Sequence, residues 1–151
     1  MRRGSRRSFT LIEALCVVAI LALATAMLSG SLFGATESAA WHRAESEVRR
    51  TDALARIAAR SGERTVLVIA DDGHTLVATR DPSASPLVTA RLPDGFVVSF
   101  DPPQHDARLT VDVAGRSADV AYVLTRGDRG MRLELAGATG QIVRVNAEAN
   151  R

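Results

Sequence analysis

The spacing of apolar residues divides this chain into a helical first part and a stranded second part. Residues 14–36 carry no charged side chain, and residues 14–28 are apolar all round a helix. After residue 36, apolar residues recur at intervals of three, four or their sums, which predicts an amphipathic helix. This apolar stripe consists of Trp41, Ala44, Val48, Leu54, Ile57 and Ala58. We expect one helix from Phe9 to about Arg60, ended by Ser61-Gly62.

From residue 65 onward, short apolar and β-branched runs alternate with turn residues, which predicts strands. The predicted strands are residues 65–70, 74–79, 87–92, 96–100, 109–113, 120–125, 131–135 and 142–145. Short Asp-, Gly- and Pro-containing turns separate them, which favours an antiparallel meander. We therefore predict an α+β fold, with a long N-terminal helix packed on an antiparallel β-sheet or a small β-sandwich.

The N-terminus is strongly basic. All 19 basic residues are arginine, and four of them lie within residues 2–7. The formal net charge is +2, so removal of those four arginines leaves +2 − 4 = −2. The basic start predicts that the N-terminus lies in the cytoplasm. The acidic remainder argues against nucleic-acid binding.

The remaining chemistry is sparse. Cys16 is the only cysteine, so no internal disulfide is possible. The three histidines, His42, His74 and His105, have no metal-ligand spacing. Asp71-Asp72-Gly73, Asp101 and Asp128 resemble calcium-loop residues, but each stands where a turn needs Asp or Gly. We expect no metal and no cofactor, and calcium binding stays open as the alternative. No nucleophile motif, phosphate loop or catalytic carboxylate pair is visible, and we expect no enzymatic activity.

One acid stands at the head of the apolar run. Four arginines are followed by Ser8-Phe9-Thr10-Leu11-Ile12-Glu13, and only uncharged residues follow Glu13 as far as residue 36. A carboxylate at membrane depth costs several kcal/mol. Glu13 is therefore a candidate functional residue that requires a positively charged partner.

This segment resembles the type III signal of type IV pilins and pseudopilins. The resemblance implies that a prepilin peptidase cuts between Ser8 and Phe9 and methylates the new amine of Phe9. It also implies that Glu13 neutralises the Phe9 amine of a neighbouring subunit during filament assembly. Ser8 departs from the glycine that usually precedes the cut, and its small side chain fits that position.

A second resemblance lies near the C-terminus. Leu133-Glu134-Leu135, followed by Thr139-Gly140-Gln141 and Ile142-Val143-Arg144-Val145, looks like the GspH/FimT minor pseudopilin type, although residue 141 is often Arg there. That type closes a small β-sandwich with a late strand, a Thr-Gly turn and a final strand. The implied parts are a cleaved leader (1–8), a transmembrane and filament-core helix (9–36), an amphipathic helix half (37–62) and a periplasmic β-domain (63–151).

The pilin resemblance also implies a location and partners. The chain would cross the bacterial inner membrane once, with its leader in the cytoplasm and its C-terminal domain in the periplasm, and would later enter a pseudopilus or pilus. Its partners would be the prepilin peptidase, other pilin or pseudopilin subunits and an inner-membrane assembly platform. Type II secretion, type IV pilus and competence machines remain open.

Two other export signals compete with this interpretation. Ala24-Thr25-Ala26 fits a secretory cleavage site, and Ser5-Arg6-Arg7-Ser8-Phe9 fits a twin-arginine signal. Either would make the chain an exported periplasmic binding domain or enzyme. Glu13 is unusual in the first signal, and no cofactor site supports the second. The mature N-terminus separates them, because it is Phe9 for a pilin and near Met27 for a secretory signal.

Overall fold

The structure of the protein is a computed structural model that describes residues 11–62, 64–80 and 85–145, without the side chains of residues 27–33 and 105. The chain divides into two compact units, Met1–Ala39 and Ala40–Arg151. The second unit contains all of the strands and the last part of the helix, and its packing is described by itself below.

The helix α1 runs from Leu11 to Arg60, which confirms the predicted single long helix. Its 50 residues correspond to a length of about 75 Å. The helix ends where predicted: the Ser61 and Gly62 N–H groups each donate to a carbonyl three residues earlier, both at 3.1 Å. Gly62 has a φ of 110°, a conformation that glycine adopts readily and that ends many helices.

The strands of the described residues agree with the predicted positions within two residues at each end. They are β1 (Thr65–Ile69), β2 (Thr75–Thr79), β3 (Val88–Arg91), β4 (Val97–Asp101), β5 (Arg108–Val111), β6 (Val120–Arg126), β7 (Arg129–Ala136) and β8 (Gln141–Val145). A 3-10 turn, His105–Ala107, precedes β5. The strands form two antiparallel four-stranded sheets, with the orders β3-β2-β1-β5 and β4-β6-β7-β8.

The prediction of a simple meander is wrong. After β3 the chain leaves the first sheet to form β4 in the second, and β5 then returns to pair with β1. Pro102 and Pro103 directly follow β4 and cannot donate ladder hydrogen bonds, so β4 and β5 cannot continue as a tight hairpin. Apolar and β-branched runs between turn residues predict each strand, but they carry no information on which strands become neighbours.

The turn between β1 and β2 joins the two sheets. The Val98 N–H on β4 donates to the Gly73 carbonyl at 2.8 Å, and the Leu92 N–H donates to the His74 carbonyl at 2.8 Å. Gly73 has a φ of 66°, and a Cβ there would lie 2.5 Å from Cγ1 of Val97. This turn therefore requires glycine both for its conformation and for its close approach to β4.

The β8 edge of the second sheet, which lies at the other end of the sheet from β4, contacts α1. The Arg49 guanidinium donates to the Ile142 carbonyl on β8 at 2.7 Å and pairs with Glu45 at 2.8 Å. Arg144, also on β8, lies 3.9 Å from the second oxygen of Glu45. Arg49 thus donates a hydrogen bond to a carbonyl that points outward from this edge strand.

The core of the unit Ala40–Arg151 is one hydrophobic cluster to which both sheets and α1 contribute. Its larger side chains are Leu67, Leu76, Phe96, Val98, Leu109, Val111, Tyr122, Leu124 and Leu133. Trp41 packs edge-on against Phe96, with ring centroids 4.7 Å apart. The predicted docking of an apolar helix face onto the strands is present, and Ala44 and Val48 are fully buried.

The predicted stripe is wrong in the last turns of α1. Leu54 and Ile57 are 36% and 62% exposed, and Ala58 is only half-buried. The buried positions that follow Val48 are instead Thr51, Asp52, Ala55, Arg56 and Ala59. The predicted residues and the buried ones both follow Val48 at spacings of three, four or their sums. The buried set includes a charged pair, which is tolerated inside because it finds polar partners among the strands.

Candidate assembly site

The first described turns of α1 expose apolar residues on all sides. Leu11, Ile12, Leu15, Val17, Val18, Ile20, Leu21 and Leu23 are between 47% and 81% exposed. A soluble monomer rarely presents a continuous apolar surface of this kind, which usually marks a membrane or protein contact. Glu13 lies in the first described turn of the same segment and is exposed.

Glu13 stands among exposed apolar residues. A carboxylate in an apolar environment costs several kcal/mol, so Glu13 is a candidate functional residue. Ser8 and Phe9, the predicted cleavage site, lie outside the described residues.

In the described parts of the chain, no helix is both long enough and apolar enough to cross a membrane. The membrane-spanning role assigned to residues 9–36 stays a prediction.

A buried ion pair, which the sequence analysis missed, joins α1 to the strands. Asp52 and Arg56 are one helical turn apart, and their side chains are only 2% and 5% exposed. The five N–H donors of Arg56 match five contacts: both Asp52 oxygens (2.7 and 3.4 Å), the Gly115 and Gly137 carbonyls (2.7 and 3.1 Å) and the Ser117 hydroxyl (3.0 Å). The guanidinium is thus fully satisfied inside the unit.

Tyr122 completes this buried group. Its hydroxyl donates to Oδ1 of Asp52 at 2.9 Å, so a residue on β6 and a residue on α1 are directly bonded. Burial, together with the nearby negative charge of Asp52, raises the pKa of Tyr122 well above its ordinary value of 10.0. The Asp52–Arg56–Tyr122 group leaves no polar atom for a ligand, and its role is to hold α1 in register on the strands.

The turn between β7 and β8 is shaped around Arg56. Gly140 has a φ of 75°, and a Cβ there would lie 2.7 Å from Cδ of Arg56. A Cβ at Gly137 would lie 2.2 Å from the Ser117 carbonyl oxygen. The Thr139-Gly140 turn, which carried the second sequence resemblance, therefore packs against the buried guanidinium.

Acidic residues elsewhere serve turns and ion pairs. Asp72 accepts the His74 N–H at 2.8 Å, as its turn requires. Hydrogen bonds from Arg116, first from its backbone N–H, lower the pKa of Asp112. Within the described residues, no three His, Cys, Asp or Glu side chains come together as a possible metal site.

The outer face of the second sheet contains a groove of about 380 Å³. Its polar lining includes Asp101, Asp119 and Glu134 with a single arginine, Arg132. Arg132 bonds Asp101 and also Glu134 (3.3 Å), and the bond to Asp101 raises the pKa of the guanidinium above its ordinary value. The groove thus has an excess of negative charge.

Residues 3–29 match the family model described as the prokaryotic N-terminal methylation motif. The crystal structure of the type IV minor pilin FimU from Pseudomonas aeruginosa is similar, with a TM-score of 0.57 at 18% identity over 73% of this chain and 90% of FimU. The minor pseudopilin EpsH of the Vibrio cholerae type 2 secretion system has a TM-score of 0.44 at 14% identity, over 72% of this chain and 94% of EpsH. No curated protein sequence matches this chain.

This chain is pilin-like. Its N-terminus carries the prepilin-type methylation motif, and its helix on antiparallel sheets is the fold of FimU. Motif and fold together support a structural subunit of a pilus or pseudopilus. A motif of this type implies a membrane-anchored stage, processing by a peptidase and assembly with other pilin subunits.

Of the pilin-like site residues taken from the sequence, the structure describes Glu13 alone. The sequence analysis missed the buried group because it based the buried face of α1 on apolar residues alone. One signal for it was available: Asp52 and Arg56 are one turn apart and follow Val48 at spacings of four. A charged pair on the continuation of an apolar stripe is compatible with a buried pair when both side chains are hydrogen-bonded.

Proposed function

We propose that this chain is a minor pilin or pseudopilin with a structural rather than an enzymatic role. It is assembled into a type II secretion pseudopilus or a type IV pilus. The observation that carries the proposal is the combination of the methylation motif at residues 3–29 with the fold of the minor pilin FimU. An ordinary export signal would require neither.

The precursor is anchored in the inner membrane by residues 9–36, with the leader in the cytoplasm and the unit Ala40–Arg151 in the periplasm. The charge-free run of residues 14–36 and the four leading arginines support this orientation. The prepilin peptidase then removes residues 1–8 and methylates Phe9. An inner-membrane assembly platform passes the mature subunit to other pilin or pseudopilin subunits.

In the filament, Glu13 neutralises the Phe9 amine of an adjacent subunit. The exposed apolar side chains around Glu13 support this role, because subunits that pack through them exclude water from the carboxylate. Removal of one partner from such a buried pair costs about 3–5 kcal/mol. Pairing between subunits therefore favours correct axial placement of each new helix.

The direct test is mass spectrometry of the mature protein isolated from its own cells. We expect Phe9 at the N-terminus with one added methyl group. The Ser8→Gly variant should be cut at least as fast as the native chain, whereas Ser8→Trp should block cleavage because the position admits only a small side chain. Retention of residues 2–8 in the functional protein, or a start near Met27, would overturn the proposal.

A further inference from the structure

The last turns of α1 present a mixed basic and apolar face to solvent. Leu54 and Ile57 are 36% and 62% exposed, and Arg50 and Arg60 are exposed before and after them. Arg50, Ile57 and Arg60 are separated by seven and then three residues, so they lie on the same side of the helix. We call these four residues, together with the exposed Arg64 that follows the helix, the basic face.

The turn between β5 and β6 borders the basic face. A Cβ at Gly115 in this turn, where φ is 76°, would lie 2.5 Å from Nε of Arg60. The Arg60 side chain therefore lies directly over the turn. Arg64 lines a cleft of about 400 Å³ together with Arg116 from the same turn. Both arginines at the end of the basic face are thus next to one rigid turn of the unit Ala40–Arg151.

The described acids nearest the basic face do not neutralise it. Asp112, the acid of the β5–β6 turn, accepts the N–H groups of Ala114 and Arg116 at 2.9 and 2.8 Å and the Arg116 side chain at 3.1 Å. Within the described residues, no ion pair joins Arg50 to Glu47, the half-buried acid one turn before it. The guanidinium groups of the basic face are therefore available to another molecule.

The net charge of this part of the chain is positive. Residues 50–64 contain four arginines and two acids, Asp52 and Glu63, which leaves a net charge of +2. Asp52 is buried against Arg56, so this pair contributes nothing at the surface. The surface charge comes from the three arginines of the basic face, with Glu63 as the only acid of the segment to oppose them. Such a charge attracts an acidic partner.

The structure argues against two other occupants. Two copies that met through their basic faces would place arginine against arginine, and the acids Asp101 and Glu134 beside the groove of the second sheet are already bridged by Arg132. A lipid surface binds helices through a broad apolar face that enters the headgroup boundary. Leu54 and Ile57 are the only large apolar side chains of the basic face, which is too narrow for that.

We propose that the basic face binds an acidic surface of a different pilin-type subunit. An apolar side chain of the partner packs on Leu54 and Ile57, and flanking carboxylates pair with Arg50 and Arg60. These arginines are ten residues, or about 15 Å, apart along the helix axis, so the partner's carboxylates need a similar separation. The inference rests on the proposed function, because the neighbours of a minor subunit in a filament are other subunits. It adds a contact that uses none of the residues 9–36.

The test is photo-cross-linking of the full-length protein in its own cells. A benzophenone amino acid takes the place of Ile57, and in the control it takes the place of Val143, which is 50% exposed on β8. Mass spectrometry identifies the product. We expect position 57 to be joined to an acidic segment of another protein with a prepilin-type N-terminus. The yield of that product should be several-fold higher than from position 143.

Charge changes test the polar part of the contact. Arg50→Glu should lower the yield of this product about fivefold, as expected for loss of a favourable exposed ion pair, whereas Arg50→Lys should retain most of it. Arg91→Glu makes the same charge change at an exposed position on β3 and should have no effect. Replacement of the cross-linked acid of the partner by arginine should restore the yield with Arg50→Glu. Trp41 fluorescence of the purified variants checks that each is folded.

Products that join position 57 only to copies of this chain, to lipid or to proteins without a prepilin-type N-terminus would overturn the proposal. An unchanged yield with Arg50→Glu would overturn it as well. Mass spectrometry of the N-terminus in the same cells reports on the proposed function. Correct processing at Phe9 without the expected cross-link would count against the basic face alone, whereas absent processing would count against the proposed function.

Discussion

The buried charge of Arg56 helps to hold α1 in register on the strands. Its guanidinium reaches one helix residue and two turns between strands, and all its contacts lie within 3.4 Å. A buried pair of this kind adds little net stability over a well-packed apolar pair, but loss of one partner leaves an uncompensated charge. The effect of a substitution therefore depends on which partner is left behind.

The Arg56→Met variant should lower the free energy of unfolding by about 3–5 kcal/mol, because Asp52 stays buried without its cation. Asp52→Leu combined with Arg56→Met should be less destabilising than the sum of the two single changes. Urea unfolding of a fragment of residues 36–151 measures both. Arg116→Met is the matched control, since Arg116 pairs with Asp112 at the same spacing but on the surface, and it should have little effect. A small effect of Arg56→Met would mean that water reaches the pair.

Tyr122 makes stability sensitive to alkaline pH. Its pKa in the folded chain is raised above the ordinary 10.0, so its contribution is fully present below about pH 10. That contribution is lost as pH rises through the folded-state pKa. The fragment of residues 36–151 contains no lysine, no cysteine and only this one tyrosine, so no other side chain titrates between about pH 8 and 11.

We expect the free energy of unfolding of this fragment to be level from about pH 8 to 10 and to fall at higher pH. In Tyr122→Phe the fall should be absent, while stability near pH 8 should drop by about 1–3 kcal/mol because Asp52 loses a buried donor. Urea titrations followed by Trp41 fluorescence provide the values. Ionisation of the folded tyrosine near pH 10, seen in its absorbance, would contradict the assignment of a buried hydroxyl.

Replacement of Glu13 should affect filament assembly. Glu13→Ala should leave membrane insertion and cleavage before Phe9 intact, because the peptidase depends mainly on the leader and the small residue. Entry into the filament should fail, because the Phe9 amine of the neighbour would be buried without a counter-charge. Comparison of sheared filament and membrane fractions tests this expectation, with Glu37→Ala, beyond the apolar run, as the control. Equal incorporation of both variants would remove the assembly role of Glu13.

At the scale of elements, the last part of α1 belongs to the core of the β-domain. Ala44, Val48, Ala55 and Ala59 are each at most 1% exposed, so their neighbours on the strands would face water without the helix. The predicted boundary between a helical segment (37–62) and a β-domain (63–151) follows secondary structure. The compact unit Ala40–Arg151 includes the last part of α1 together with the strands.

A fragment of residues 36–151 should therefore be soluble, monomeric at low concentration and folded. A fragment that begins at Gly62 should aggregate, because removal of the helix exposes several hundred Å² of apolar surface. Gel filtration and circular dichroism distinguish the two. Within the longer fragment, Val48→Ser should be strongly destabilising, whereas Ile57→Ser should have little effect because its side chain faces solvent. A stable, monomeric strand-only fragment would show that α1 is not part of the core.

At the scale of the molecule, the positions of α1 and of the strands could be predicted from local pattern, whereas the 3-10 turn His105–Ala107 was not predicted. A β-branched, apolar run predicts β1, the Asp71-Asp72-Gly73 turn predicts β2 as its hairpin partner, and Ser61-Gly62 predicts the end of α1. Sheet membership could not be predicted, because the return of β5 to β1 depends on contacts between residues far apart in sequence. The buried face of α1 was misread after Val48 for a related reason. Asp52 and Arg56 are acceptable inside only because Tyr122 and two distant turns supply their partners.

The two edges of the second sheet have a consequence for how copies can associate. An open strand edge is a template for strand addition and for amyloid-like growth. Here the Gly73 carbonyl accepts a hydrogen bond from an outward N–H on β4, and the Arg49 guanidinium donates one to an outward carbonyl on β8. Another strand could add only by displacing these groups. Contacts between copies are thereby directed away from backbone pairing at these two positions and toward side chains.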